Sequence, residues 1–206
     1  MDIDWNMVLS IITVGTALLA LYQTQKQIKL SNKQNLFDSR VENYLIADGL
    51  IKLYEENCRL FSDKTNLTGA IDYKFNLMIN NSFLENIASV MKKPLSNPEQ
   101  KVFLTKLEEI KSIAMKIKLL FNGKSAENLG DFVDCYGRLL FVMYQYQILN
   151  NHMTEASQKE NLTKEEVEDK FNEKILASKL EATFNDLRNS YEKLDNDKIR
   201  KEIKLK

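Results

Sequence analysis

Acid–base and nucleophilic chemistry draws on a short roster of side chains, and this chain of 206 residues carries few of them. It has one histidine, His152, and two cysteines, Cys58 and Cys135, so no histidine cluster or zinc-type cysteine spacing can form. The cysteines lie far apart, build no disulfide framework, and suit a reducing compartment. Adjacent carboxylates occur at Glu55-Glu56, Glu108-Glu109 and Glu165-Glu166. Neighbours on a helix point about 100° apart, so each pair is a poor acid–base couple. Gly123-Lys124-Ser125 has the residues that end a phosphate-binding loop. That motif also needs a glycine five positions earlier, where Lys118 stands, and a preceding strand, where this sequence predicts the end of a helix. A helix stop followed by a helix start accounts for all three residues.

Asn150-Asn151-His152 falls at the expected end of a helix. The placement is similar to that in all-helical bacterial ribonucleases of the HEPN type, where an arginine, four residues and a histidine lie near a helix end. Gln147 stands at the arginine position here, so the pattern departs from that family at a catalytic residue. The resemblance implies a divergent membrane-tethered ribonuclease, which requires an arginine such as Arg138 or Arg40 to reach His152 in space. His152 is the single catalytic candidate. No residues point to a cofactor or a metal, and the balance favours a non-enzymatic role.

The elements that would position such groups are helices. Six glycines and two prolines are too few for sandwiches, barrels or glycine-rich loops. The 29 basic and 29 acidic residues cancel, which argues against a surface given over to nucleic acid. The expected fold is all-α: an N-terminal transmembrane helix continuing into a cytoplasmic bundle of about five helices.

The transmembrane segment is residues 5–22, preceded by a short external tail, 1–4. Between Trp5 and Tyr22 no charge interrupts an apolar run of about 27 Å, just enough for a thin bilayer core. The two aromatics fall where amphipathic rings favour the membrane interface. Lys26, Lys29, Lys33 and Arg40 follow the span and no basic residue precedes it, which predicts an outside N-terminus and a cytoplasmic body in the cell membrane. Ser10, Thr13, Ala17 and Ala20 recur at spacings of 3, 4 and 3, a small-residue stripe suited to homo-oligomer formation in the bilayer.

Residues 23–152 read as the bundle. Leu30, Phe37, Tyr44, Ile51 and Cys58 recur every seven residues on a long first helix, which the polar loop 62–69 ends. Residues 70–93 read as a helix or a broken pair, with a restart at Ser82, where Glu85 completes a capping-box spacing. Asn97 as cap, Pro98 in first position and Gln100 start a helix with Phe103, Leu107, Ile110, Ala114, Ile117 and Phe121 on one face, stopped by Asn122-Gly123. The next, about 125–151, is apolar nearly all round and therefore central, and Gly130 and Gly137 would admit a close neighbour.

Residues 153–206 read as a charged linker, an amphipathic C-terminal helix and a basic tail. Thr163 and Glu166 form a capping box, and Ala177, Leu180, Phe184, Leu187, Tyr191 and Leu194 make a narrow seam for the bundle edge or a cytoplasmic protein partner. Residues 153–197 hold seven basic and twelve acidic residues, and residues 198–206 hold five and one.

This layout is similar to that of uncharacterised single-pass, membrane-anchored, all-helical proteins of low-GC bacteria. The residues carrying the likeness are the span and Ser31-Asn32-Lys33-Gln34-Asn35-Leu36-Phe37-Asp38-Ser39-Arg40. The resemblance implies no activity, although some such proteins act as membrane effectors or accessories in phage defence. The expected function is a self-associating membrane protein with a cytoplasmic interaction or sensing module. A plain membrane tether for a cytoplasmic partner is the other non-enzymatic reading.

Overall fold

The computed structural model describes residues 5–61, 67–160, 166, 168 and 170–195. The expected external tail, the cap at Thr163 and the basic tail 198–206 lie outside the described residues. Within them all regular structure is helical. Helix α1 spans Trp5–Asn57, α2 Ile71–Met78, α3 Glu99–Leu120, α4 Gly123–Glu160 and α5 Glu173–Glu192. Two 3-10 stretches, Cys58–Phe61 and Glu85–Met91, complete the order.

The 53 residues of α1 form one helix, about 80 Å long. From residue 5 to 36 all but Val8 are exposed, so this half stands clear of the body. Farther on, Tyr44, Ala47, Leu50, Ile51, Leu53 and Tyr54 are buried. The seven-residue stripe therefore works as core at Tyr44 and Ile51, is half-buried at Phe37 and Cys58, and outlasts the body at Leu30, which is 67% exposed. Arg40 marks the junction. Its Nε donates to the Leu120 carbonyl at 2.8 Å, and its guanidinium lies 5.7 Å from the Phe121 ring centre. A cation there satisfies one of the carbonyls that α3 leaves open at its end and suits the negative pole of its dipole.

Residues after α2 differ from expectation. Asn81, rather than Ser82, turns the chain: its Oδ1 accepts the Leu84 amide at 2.9 Å. The helix beyond this turn is 3-10, and the buried positions Leu84, Ile87 and Val90 are three apart, the period of that helix. The start of α3 is likewise displaced from the expected Asn97 cap. Ser96 Oγ donates to Glu99 Oε2 at 2.7 Å, and the Gln100 amide reaches the Ser96 carbonyl at 2.9 Å. The hydroxyl beside Glu99 holds its carboxyl below the usual range.

Helix α4 is central. Tyr136 is fully buried and donates its hydroxyl to the Met78 carbonyl at 2.5 Å, while Tyr144 donates to the Pro94 carbonyl at 2.6 Å. The expected linker after residue 152 is a continuation of α4 to Glu160. That stretch is polar but holds no Gly or Pro, and Lys159 lies 3.8 Å from Glu155 across one turn. Helix α5 runs back antiparallel along α4. Its contacts step from Tyr146 with Glu173, through Gln145 with Lys179 and Cys135 with Ser190, to Asn128 with the Lys193 carbonyl. It begins at Glu173 because Asn172 takes a left-handed conformation, φ 51°, which interrupts the helix expected from Thr163. The seam faces inward: Leu180, Phe184 and Leu187 are buried, and Phe184 stacks on Phe61 at 4.7 Å. The C-terminal helix thus belongs to the same core as the bundle, and the expected boundary at 152 falls inside α4.

Gly130 and Gly137 of α4 face α3. A Cβ at Gly130 would lie 2.8 Å from the Ala114 carbonyl and 2.6 Å from Lys118, and one at Gly137 would lie 3.0 Å from Ile110 Cγ2. Alanine favours a helix by about 1 kcal/mol over glycine, whereas overpacking costs about 1–3 kcal/mol. Gly130→Ala meets backbone and should lower stability by about 1 kcal/mol or more. Gly137→Ala meets one side-chain methyl at 3.0 Å, a contact that a shift of a few tenths of an ångström relieves, and should be near neutral. Denaturant unfolding of the two variants checks the difference.

Candidate functional site

Residues 5–22 form the first candidate region. The segment is long and apolar enough to cross a membrane, and none of its apolar window is buried. Trp5 and Tyr22 close it at 71% and 67% exposure. Its hydroxyls turn back onto the helix: Ser10 donates to the Asn6 carbonyl and Thr13 to that of Leu9, both at 2.8 Å, and Thr16 to that of Thr13 at 2.9 Å. Such bonds remove the cost of placing a hydroxyl in an apolar medium. Ser10, Thr13, Ala17 and Ala20 lie on this exposed surface, and Lys26, Lys29 and Lys33 are exposed just beyond it.

Among the described residues neither arginine named with the catalytic candidate lies beside it. His152 is exposed on α4, well before the helix ends at Glu160. Arg138 lies fourteen residues earlier on the same helix, about 21 Å away. Arg40 is bound at Leu120, beside the opposite end of α4. Gln147, at the position of the missing arginine, donates to Asn151 Oδ1 at 3.1 Å. Gly123 to Ser125 form the first turn of α4, with Gly123 at φ 77° turning the chain out of α3. Among the described residues no group of three His, Cys, Asp or Glu side chains could hold a metal.

A second region has no forerunner in the sequence patterns. Helices α3, α4 and α5 enclose an open groove of about 410 Å³. Ile110, Gly137, Phe141 and Val142 give it an apolar floor, and Lys111 and Lys179 line it from α3 and α5. Arg138 and Asp134 also line it, 3.3 Å apart, and Arg138 lies 3.8 Å from Asp186 with its Nη2 2.9 Å from Cys135 Sγ. The spacing signalled the close approach at Gly137. It did not signal the groove, because the lining residues come from three helices whose pairing no short-range pattern records.

No family model matches the chain, and no curated protein or solved structure does either.

The α5 wall is fastened to α1 by side chains. Tyr191 donates its hydroxyl to Glu55 Oε1 at 2.7 Å and packs 4.7 Å from the Tyr54 ring. The hydrogen bond to Glu55, helped by burial, pushes the phenol up from 10 to about 12. Farther along, Tyr146 donates to Glu173, and burial and that carboxylate raise its phenol as well. A phenol raised on folding stabilises fully below its unfolded value, and the contribution fades as pH climbs to the folded one. The stability advantage of wild type over Tyr191→Phe should therefore be constant up to about pH 10 and shrink between pH 10 and about 12. Thermal unfolding of the pair across that range measures it, and an advantage that does not shrink would contradict the assignment.

Proposed function

We propose that this is a single-pass membrane protein whose helical body lies on the cytoplasmic side and serves as an interaction or sensing module. One observation carries the reading: the described body buries none of the apolar segment 5–22 and leaves all of it but the half-buried Val8 exposed, which supports burial in a surrounding apolar medium. Eight Leu, Ile and Val residues, at about −0.3 to −0.6 kcal/mol each, make lipid a favourable medium for it. Lys26, Lys29 and Lys33 put the basic flank on the body's side, which favours an outside N-terminus. Residues 23–36 then act as an exposed helical stalk about 21 Å long between bilayer and body.

Self-association through Ser10, Thr13, Ala17 and Ala20 completes the proposal. With Ser10 and Thr13 already bonded within the helix, association rests on close backbone approach along small residues. The protein would act by assembling in the membrane and perturbing it. The inward seam of α5 leaves any cytoplasmic partner the outer surface of that helix, where Ile175 is 70% exposed. Among the described residues, no arrangement around His152 favours the ribonuclease reading.

Wild-type protein should stay in carbonate-washed membranes. An arginine at the helix centre costs about 2.5–3.5 kcal/mol, so Ile12→Arg combined with Val14→Arg should release the chain from that fraction. Detergent-purified wild type should run as an oligomer, and Ala17→Leu with Ala20→Leu should shift it towards monomer. A carbonate-soluble wild type would end the membrane reading. A membrane-bound wild type that is monomeric in mild detergent, with no effect on membrane potential, would end the assembly reading alone.

A further inference from the structure

The groove between α3, α4 and α5 combines an apolar floor with charge that the body itself leaves uncompensated. Arg138 is answered by Asp134 and Asp186. Among the described residues Lys179 has one partner, a neutral one, donating to Gln145 Oε1 at 3.0 Å. Lys111 makes no hydrogen bond or ion pair with the described residues. The two lysines line the groove from different helices, Lys111 from α3 and Lys179 from α5, and Phe141 and Val142 line it from α4. Like charges sharing a groove repel, and an anion placed between them is attracted by both. At about 410 Å³ the space is within the range that small-molecule ligands occupy, and its largely apolar lining with a few polar groups is the usual pattern of such sites.

Charge and floor together select the ligand. An inorganic anion would answer the lysines and leave the floor wet. A neutral apolar molecule would cover the floor and leave both ammonium groups unanswered. We propose that the groove binds a small organic carboxylate with an apolar body, its carboxylate held between Lys111 and Lys179 and its aryl or alkyl part lying on Phe141 and Val142. Gly137 keeps the floor deep at this point, because α4 has no side chain there. The two walls belong to helices that pack on α4 far more than on each other. A bound carboxylate therefore ties α5 to α3 and stabilises the body, which gives the sensing module a chemical input independent of the bilayer.

The test uses the full chain in lipid nanodiscs, with empty nanodiscs as the blank. Calorimetric titration compares 3-phenylpropionate and octanoate with their uncharged amides. At least one carboxylate should bind saturably at one per chain and raise the thermal midpoint, and its amide should bind about tenfold more weakly or worse, the loss expected for a charge-assisted contact. Lys111→Glu and Lys179→Glu alter exposed side chains and should fold normally, yet each should weaken carboxylate binding by about tenfold. No saturable binding of either carboxylate overturns the proposal. Equal binding of acid and amide, or unchanged binding in both lysine variants, overturns it too.

Discussion

The close approach of α3 to α4 is the constraint on which the rest of the body depends. At Gly130 the two helices come so near that the Ala114 carbonyl would meet a single added carbon at 2.8 Å. That proximity sets where α3 ends relative to α4, and so where the Leu120 carbonyl stands to receive Arg40. Arg40 in turn fixes the point at which α1 leaves the body. Farther up the same pair of helices, Gly137 faces Ile110, and there the groove opens. One packing contact thus governs both the departure of the exposed apolar segment and the floor of the groove.

Polar groups that α4 draws inward are matched individually. Tyr136 and Tyr144 carry hydroxyls into the core, and each finds a backbone carbonyl outside regular α-helical pairing, at Met78 and Pro94. A buried hydroxyl without a partner costs about 1–3 kcal/mol, so these bonds specify where the irregular stretch between α2 and α3 must lie. Lys74 behaves the same way, donating to the Leu67 carbonyl at 2.9 Å with its ammonium 5.7 Å from the Phe61 ring centre. The segment least regular in secondary structure is held by the most specific side-chain bonds.

The all-helical fold and the central place of α4 were legible in the sequence, because long apolar periodicity survives any detail of packing. Tyr44, Ile51, Phe103, Ile110, Leu180 and Phe184 all became core as their spacing implied. Boundaries were less legible. Polarity after residue 152 resembled a linker, but helix propensity and the absence of breakers carried α4 on to Glu160. The 3-10 stretch was invisible because Leu84, Ile87 and Val90 satisfy a three-residue period that a helical pattern of three and four also contains. Of the candidate site residues, the exposed apolar segment was readable from local composition. The groove was not, since Lys111, Arg138 and Lys179 become neighbours only through tertiary packing.

Helix α1 is both a core element and the carrier of the apolar segment, without a break between Trp5 and Asn57. That continuity makes it a lever. About 48 Å of helix projects beyond the fulcrum near Phe37, against about 31 Å held within the body. A tilt of about 10° at the fulcrum sweeps the Trp5 end through about 8 Å. A repacking too small to disturb Tyr44 or Ile51 is thereby magnified into a displacement on the scale of a neighbouring helix's width.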